Sequence, residues 1–279
     1  MGEYVQATYI AVGLLVPFLA LLRWLHPWPT TQDLALGFLL GMSGTALVLL
    51  VRGLGPWPEG GIPGAFLTAG ALEEAVKLLL GGLLLRRLGG EIKLGPAEGA
   101  LTLAFLGAGF EAVEDFQYLI GGVGQGLPLG EVVAARALPM HLALGLAVGG
   151  YLARGLAGRP LWLAWAWLLA AGLHGGFNAV AGHAPFPWAA GYSALVLGWA
   201  LSCFLREGRR SPWGLGARLR GMDPWEAGVA VQRIGWEGWG YLAKGEGSPV
   251  GWVLALGLAI LYPILVLALG LFLQLVGGG

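Results

Sequence analysis

The sequence predicts an all-α protein, a polytopic bundle of about eight transmembrane helices. Of its 279 residues, 57% are hydrophobic and only 11% are charged, and its mean hydropathy is +0.72. Soluble domains carry about 25% charged residues. Apolar runs of about 20 residues recur along the chain, and each is long enough to cross a bilayer as a helix. The formal net charge is zero, so nothing indicates nucleic acid as a partner.

Each predicted span is an apolar run that ends in a loop signal. Segments such as GPWPEGGIPG, at residues 55–64, are rich in glycine and proline and separate the runs. The first run has no basic residue before it and no small-residue cleavage site after it, so we expect a retained helix rather than a signal peptide. We expect one membrane domain over residues 1–279, with spans at 5–23, 33–52, 64–85, 98–120, 131–153, 161–181, 188–205 and 250–274.

Basic residues follow the odd-numbered spans almost without exception. Thirteen of them lie there, whereas Arg52 is alone after an even-numbered span. Cytoplasmic loops carry an excess of basic residues, so both termini are predicted outside the cytoplasmic membrane of a bacterium or archaeon. Residues 206–249 then form a basic cytoplasmic loop. Within it, DPWEAGVAVQRIG predicts a short helix that begins after Asp223 and lies on the inner membrane surface.

Spans three to six contain every ionisable residue that lies deep in a predicted span. At 1.5 Å per residue, Glu73 and Glu111 lie about 14 Å from the outer surface, His141 about 15 Å and His174 about 10 Å. Four helices of alternating direction therefore bring acids and histidines to the outer half of the bilayer. The polar set in these spans is Glu73, Glu74, Lys77, Glu111, Glu114, Asp115, Arg136, His141, His174 and Asn178.

Helical spacing suggests how these groups are arranged. Lys77 lies four residues after Glu73 and three after Glu74, so it can reach either acid. Adjacent residues diverge by about 100° around a helix, so one glutamate is expected to face the site while Lys77 holds the other. Pairs such as Glu74 with Lys77 and Glu114 with Arg136 could also simply hold helices together. Lys77, Asp115 and Arg136 are expected to act in such supporting ion pairs.

The balance of charge limits what the site can contain. Five carboxylates and two permanent cations leave a net charge of minus three. A low dielectric does not tolerate this, so protons, charged histidines or a divalent cation must offset it. Isolated acids in a bilayer cost about 2.5–3.5 kcal/mol each, which favours a functional site over helix-holding pairs.

Glutamate and histidine beside water are typical of general-base catalysis, and an asparagine amide suits oxyanion stabilisation. The candidate catalytic residues are Glu73, Glu74, Glu111, Glu114, His141, His174 and Asn178. Two histidines and a glutamate also suit Zn²⁺, with Glu114, His141 and His174 as candidate ligands. No ligand spacing here is itself typical of zinc, which favours a metal-free mechanism in which glutamate and histidine activate water.

Four short motifs in successive spans resemble those of the PrsW-type intramembrane proteases. They are EEAVK at residues 73–77, GFEAVED at 109–115, PMHLALG at 139–145 and HGGFN at 174–178. The resemblance covers residues 64–181 as a catalytic four-helix core. It implies cleavage of a single-span membrane protein, such as an anti-sigma factor, near the extracytoplasmic side. It leaves the metal open, because such enzymes have been classed as metalloproteases and as glutamate proteases.

Other functions remain as alternatives. One alternative is a CAAX-type endopeptidase that cleaves prenylated proteins. Those related enzymes carry FxxxH where this chain has Phe110 to Glu114, and arginine in place of Lys77, so the differences disfavour prenyl-protein substrates. A proton- or ion-coupled transporter also uses intramembrane acids, but the chain shows no internal repeat and almost no polar residues in the inner half of these spans. Haem ligation by His141 and His174 would leave the neighbouring acids unexplained.

Overall fold

The computed structural model describes residues 13, 15–26, 29–88, 95–124, 139–184 and 186–211. Within these residues all regular elements are helices, so the all-α prediction is confirmed. In chain order they are α1 Leu15–Leu25, α2 Thr31–Gly53, α3 Gly61–Pro63, a π-helix Gly64–Glu73, α4 Glu74–Leu88, α5 Pro96–Gly124, α6 Met140–Leu156, α7 Leu161–His183 and α8 Phe186–Arg210.

These helices overlap seven of the eight predicted spans, although α6 is described only from Met140. The stretches Thr31–Gly53 and Trp188–Arg210 are long and apolar enough to cross a membrane, judged by length and composition. Several of the other helices are shorter or carry the polar residues named above, which lowers their hydropathy. The count of eight spans stays a prediction. The eighth span, most of the basic loop with its surface helix, and Arg136 lie outside the described residues.

Helix α5 packs between α2 and α6, and glycines allow a close approach on both sides. A Cβ atom added to Gly109 would stand 1.9 Å from the carbonyl oxygen of Phe38 in α2. One added to Gly107 would stand 2.2 Å from the carbonyl oxygen of His141 in α6. Small residues let membrane helices pack backbone to backbone. This contact places the start of α6 beside the second half of α5.

The π-helix packs mainly against α7, again through glycine. A Cβ atom on Gly70 would stand 2.6 Å from the carbonyl oxygen of Ala171. Large apolar side chains on the outer faces remain exposed, including Leu79, Leu83 and Leu168. Such exposure is unusual in a soluble monomer and is expected of helices that face lipid. The packing of α4 to α7 therefore fixes the polar side chains inside an apolar shell.

Candidate active site

The two adjacent glutamates lie where the π-helix gives way to α4. Glu73 is the last residue of the π-helix, Glu74 is the first of α4, and both are buried. The Oε1 atom of Glu74 lies 2.5 Å from Nζ of Lys77, which is one turn further along α4. Lys77 thus pairs with Glu74. Glu73 borders an open cavity instead. Which of the two glutamates acts on water stays a prediction.

His174 of α7 lies between these glutamates. Its Nδ1 atom is 2.8 Å from Oε1 of Glu74, and its Nε2 atom is 4.0 Å from Oε2 of Glu73. The Oε2 atom of Glu73 is buried and has no hydrogen-bond partner within the part of the chain that the structure describes. Such an atom is costly to keep in an apolar surrounding. This oxygen marks Glu73 as a place where the site can take a further group.

His141, the second residue of α6, contacts two charged side chains. Nδ1 lies 2.5 Å from Nζ of Lys77, and Nε2 lies 2.6 Å from Oε2 of Glu114. A lysine ammonium can only donate, so Nδ1 accepts and Nε2–H donates to Glu114. The contact with Lys77 therefore fixes the tautomer of His141. The rings of His141 and His174 are perpendicular, with centroids 4.7 Å apart.

Glu111, a predicted catalytic residue, contacts the backbone of α6 and not the cavity. Its Oε1 atom accepts the backbone N–H groups of Met140 at 2.6 Å and His141 at 3.4 Å, and its Oε2 atom accepts that of Leu142 at 3.1 Å. The N–H groups in the first turn of a helix have no partner within the helix. The N-cap residue of α6, Pro139, has no side-chain hydrogen bond to offer them, so Glu111 takes this role. Glu111 thus caps α6 and holds His141 in place, and it does not line the cavity. Asp115 is also buried on α5.

A cavity of about 540 Å³ adjoins this cluster. It lies among the second halves of α2 and α5, the last turns of α7 and the π-helix, and Glu73, Glu114 and Asn178 all border it. The sequence did not predict the rest of its polar lining as part of the site, because these residues lie on different elements and none belongs to a cluster of deep ionisable residues. They are Thr45, Arg52, Glu59, Thr68, Gln117, Tyr118 and His183. Phe110 was also missed as a contact: its ring centroid lies 4.6 Å from Nζ of Lys77 and 4.9 Å from that of His141.

Three buried side chains form a group with the composition of a metal site. Glu73, His141 and His174 each offer one ligand atom, and these atoms lie within 4.8 Å of one another. Two histidines with one glutamate are a donor set that Zn²⁺ uses in hydrolytic enzymes, and the unpartnered Glu73 oxygen fits a cation. Both nitrogens of His141 have partners, so its coordination of a metal would replace one contact. The geometry thus groups Glu73 with the histidines, where the sequence suggested Glu114.

The comparison with protein families gives a match over most of the described chain. The model for PrsW family intramembrane metalloprotease matches residues 29–205. No curated protein and no solved structure matches the chain significantly. The match covers more than half of the 279 residues, so the chain belongs to the PrsW family and is an intramembrane protease. The resemblance carried by the four motifs is confirmed.

Proposed function

We propose that this PrsW-family protease hydrolyses one peptide bond of a single-span membrane protein, of the anti-sigma-factor kind, near the extracytoplasmic side of the membrane. One observation carries this proposal. Oε2 of Glu73 is buried without a hydrogen-bond partner in the described structure and lies 4.0 Å from Nε2 of His174, and the Glu73 side chain borders a cavity of about 540 Å³. A cavity of this size accommodates a short stretch of unwound polypeptide.

The position of the cavity supports an extracytoplasmic site. It lies among the second halves of α2 and α5 and the last turns of α7, which correspond to the second, fourth and sixth predicted spans. The bias of basic residues assigns the ends of these spans to the outside. A substrate helix entering there must unwind locally, because its own hydrogen bonds shield the scissile carbonyl group.

Glu73, His141 and His174 are the residues that would hold Zn²⁺. Bound there, Zn²⁺ would supply a Lewis acid and a water molecule that ionises near neutral pH. Glu74 orients His174 through Nδ1, and Glu114 receives the Nε2–H group of His141. Carboxylates in these positions are the usual outer partners of metal-binding histidines.

Two further side chains complete the proposed chemistry. Glu114 borders the cavity, and its side chain is 23% exposed, so it can accept a proton from water there. Asn178 borders the same cavity one turn after His174, and its amide can donate to the oxygen of the scissile carbonyl group. Lys77 offsets the charge of Glu74, and its contact with Nδ1 of His141 is the one that Zn²⁺ would replace.

The test uses purified protein in vesicles with a synthetic single-span substrate, and mass spectrometry identifies the products. We expect cleavage within the outer half of the substrate span, loss of cleavage with a zinc chelator, and recovery on adding Zn²⁺. Glu59→Gln, at the exposed rim of the cavity, is the matched control and should cleave normally. Cleavage that the chelator does not affect would reject the zinc site and favour the metal-free mechanism. The absence of any cleavage of single-span substrates would reject the proposed function itself.

A further inference from the structure

The backbone at the junction between the π-helix and α4 is hydrogen-bonded to a side chain of another helix. At this junction the backbone N–H group of Glu74 is shared between the carbonyl oxygens of Gly70 and Ala71. The carbonyl oxygen of Ala71 also accepts a hydrogen bond from Nε1–H of Trp167 in α7, at 3.0 Å. Long π-helices are rare, since their hydrogen-bond register is less favourable than that of an α-helix. An external donor at the point where the register changes therefore stabilises an arrangement that is otherwise easily lost.

Trp167 begins the face of α7 that packs on the π-helix. Ala171, one turn later, contacts Gly70, and the glycine at position 175 faces Phe66. His174 on the same face contacts Glu74. The hydrogen bond from Trp167 is thus the first of several contacts that align α7 with the two glutamates.

The side chain of Trp167 does not border the cavity beside Glu73. It lines a separate apolar groove of about 450 Å³ between α4, α6 and α7, together with residues such as Leu79 and Leu83. Its contact with the site runs through the backbone of Ala71, two residues before Glu73. Any effect of its N–H group on the reaction must therefore be exerted through the position of the glutamates.

We propose that Trp167 is a positioning residue for peptide hydrolysis: its indole N–H group fixes the π-to-α junction, so that Glu73 and Glu74 approach His174 from two sides. This inference rests on the proposed function. In an α-helix adjacent side chains diverge by about 100°, and the π-helix has a different angular step. The residue at which one helix changes into the other therefore determines where Glu73 points relative to Glu74.

The test compares Trp167→Phe, which removes the donor and keeps an aromatic ring, with Trp165→Phe on the same helix as the matched control. For Trp167→Phe we expect kcat to fall about three- to tenfold, the range that the loss of one neutral hydrogen bond produces, with KM unchanged. Hydrogen exchange in peptides covering residues 64–80 should become faster in this variant. The control should match the wild type in both measurements. If Trp167→Phe does not fold, 3-benzothienylalanine at position 167 keeps the two-ring shape without the N–H group.

The outcomes separate this inference from the proposed function. Wild-type kcat and wild-type exchange in the Trp167 variant would overturn it, as would a higher KM with unchanged kcat, which indicates direct substrate contact. Wild-type protein that cleaves no single-span substrate would instead reject the proposed function. The exchange comparison would then still decide whether Trp167 holds the junction.

Discussion

Two buried clusters of glutamate and histidine lie at different levels of the same bundle. The first surrounds Glu73 and His174 and borders the cavity. In the second, Nε2 of His26 lies 2.7 Å from Oε1 of Glu98, at the start of α5. Glu98 and Glu114 are separated by about 24 Å along α5, at 1.5 Å per residue. The residue types are alike, yet the surroundings differ.

The difference lies in hydrogen bonding and access. Both carboxylate oxygens of Glu98 have partners: Ser211 donates its hydroxyl to Oε1, and the backbone N–H of Gly95 donates to Oε2 at 2.9 Å. The side chains of His26 and Glu98 are 1% and 0% exposed. In the first cluster Oε2 of Glu73 has no hydrogen-bond partner in the described residues, and the Glu73 side chain borders the cavity. A satisfied, sealed carboxylate ties helices together, whereas an unsatisfied carboxylate beside a cavity can bind a reactant or a metal.

We expect the largest difference in activity between variants of two glutamates that lie one turn apart on α5, Glu111 and Glu114. Glu114→Gln removes the proposed proton acceptor and should lower kcat by about 10²–10⁴-fold, the usual range for general acid–base catalysis. Glu111→Gln keeps one acceptor oxygen for the first turn of α6 and should mainly lower stability, by about 1–3 kcal/mol. Cleavage rates and thermal unfolding in detergent, measured on both variants, check this. A severe catalytic defect in a fully stable Glu111 variant would reverse the assignment.

The close contact of α5 with α6 gives a second contrast. Gly107→Ala places a methyl group against the carbonyl oxygen of His141, and overpacking of this kind typically costs about 1–3 kcal/mol. The helices must separate, so cleavage should also slow because His141 moves away from Glu114. Gly172→Ala is the control, since a Cβ atom there meets nothing within 4 Å. It should leave cleavage unchanged and should not lower stability, because alanine is the better helix former. A Gly107→Ala variant that is as stable and as active as Gly172→Ala would show that the contact does not matter.

The sealed cluster should matter for stability alone. Glu98→Gln leaves a poorer acceptor for His26 and Ser211 and should lower the free energy of unfolding by about 1–3 kcal/mol. Its kcat, measured below the unfolding temperature, should stay within about twofold of the wild type, which corresponds to less than 0.5 kcal/mol in the barrier. A large loss of kcat in stable protein would mean that the second cluster also takes part in the reaction.

Much of the first cluster could be predicted because it follows from local periodicity. Apolar runs indicated the helices, and helical spacing indicated that Lys77 would pair with either Glu73 or Glu74; in the structure it pairs with Glu74. The positions of Glu73 and Glu111 could not be predicted from helical spacing. Glu73 borders the cavity at the end of a π-helix, and helical spacing in the sequence indicates neither this π-helix nor its contact with Trp167 of α7. Glu111 caps a helix described from Met140, whereas the predicted span began at residue 131.

The second cluster was not predicted, because its residues are far apart in the sequence. His26 and Glu98 are 72 residues apart and lie at or beyond the ends of apolar runs, where a polar residue is ordinary. Only the packing of α1, α5 and the end of α8 brings them together with Ser211. Helical spacing carries no signal for such contacts, since it reports only neighbours on one helix.

The most direct test of the contrast is the single-turnover cleavage rate of one single-span substrate by two matched variants, Glu73→Gln and Glu98→Gln. Each replaces one buried carboxylate by an amide of the same shape. We expect Glu73→Gln to lose at least about a hundredfold in rate while remaining folded, because it changes a proposed Zn²⁺ ligand and loss of even an outer partner of such a ligand costs about 10–100-fold. Glu98→Gln should cleave nearly as fast as the wild type. A Glu73→Gln variant that cleaves at the wild-type rate, or two variants that lose the same activity, would contradict the assignment of the reaction to the cavity-facing cluster.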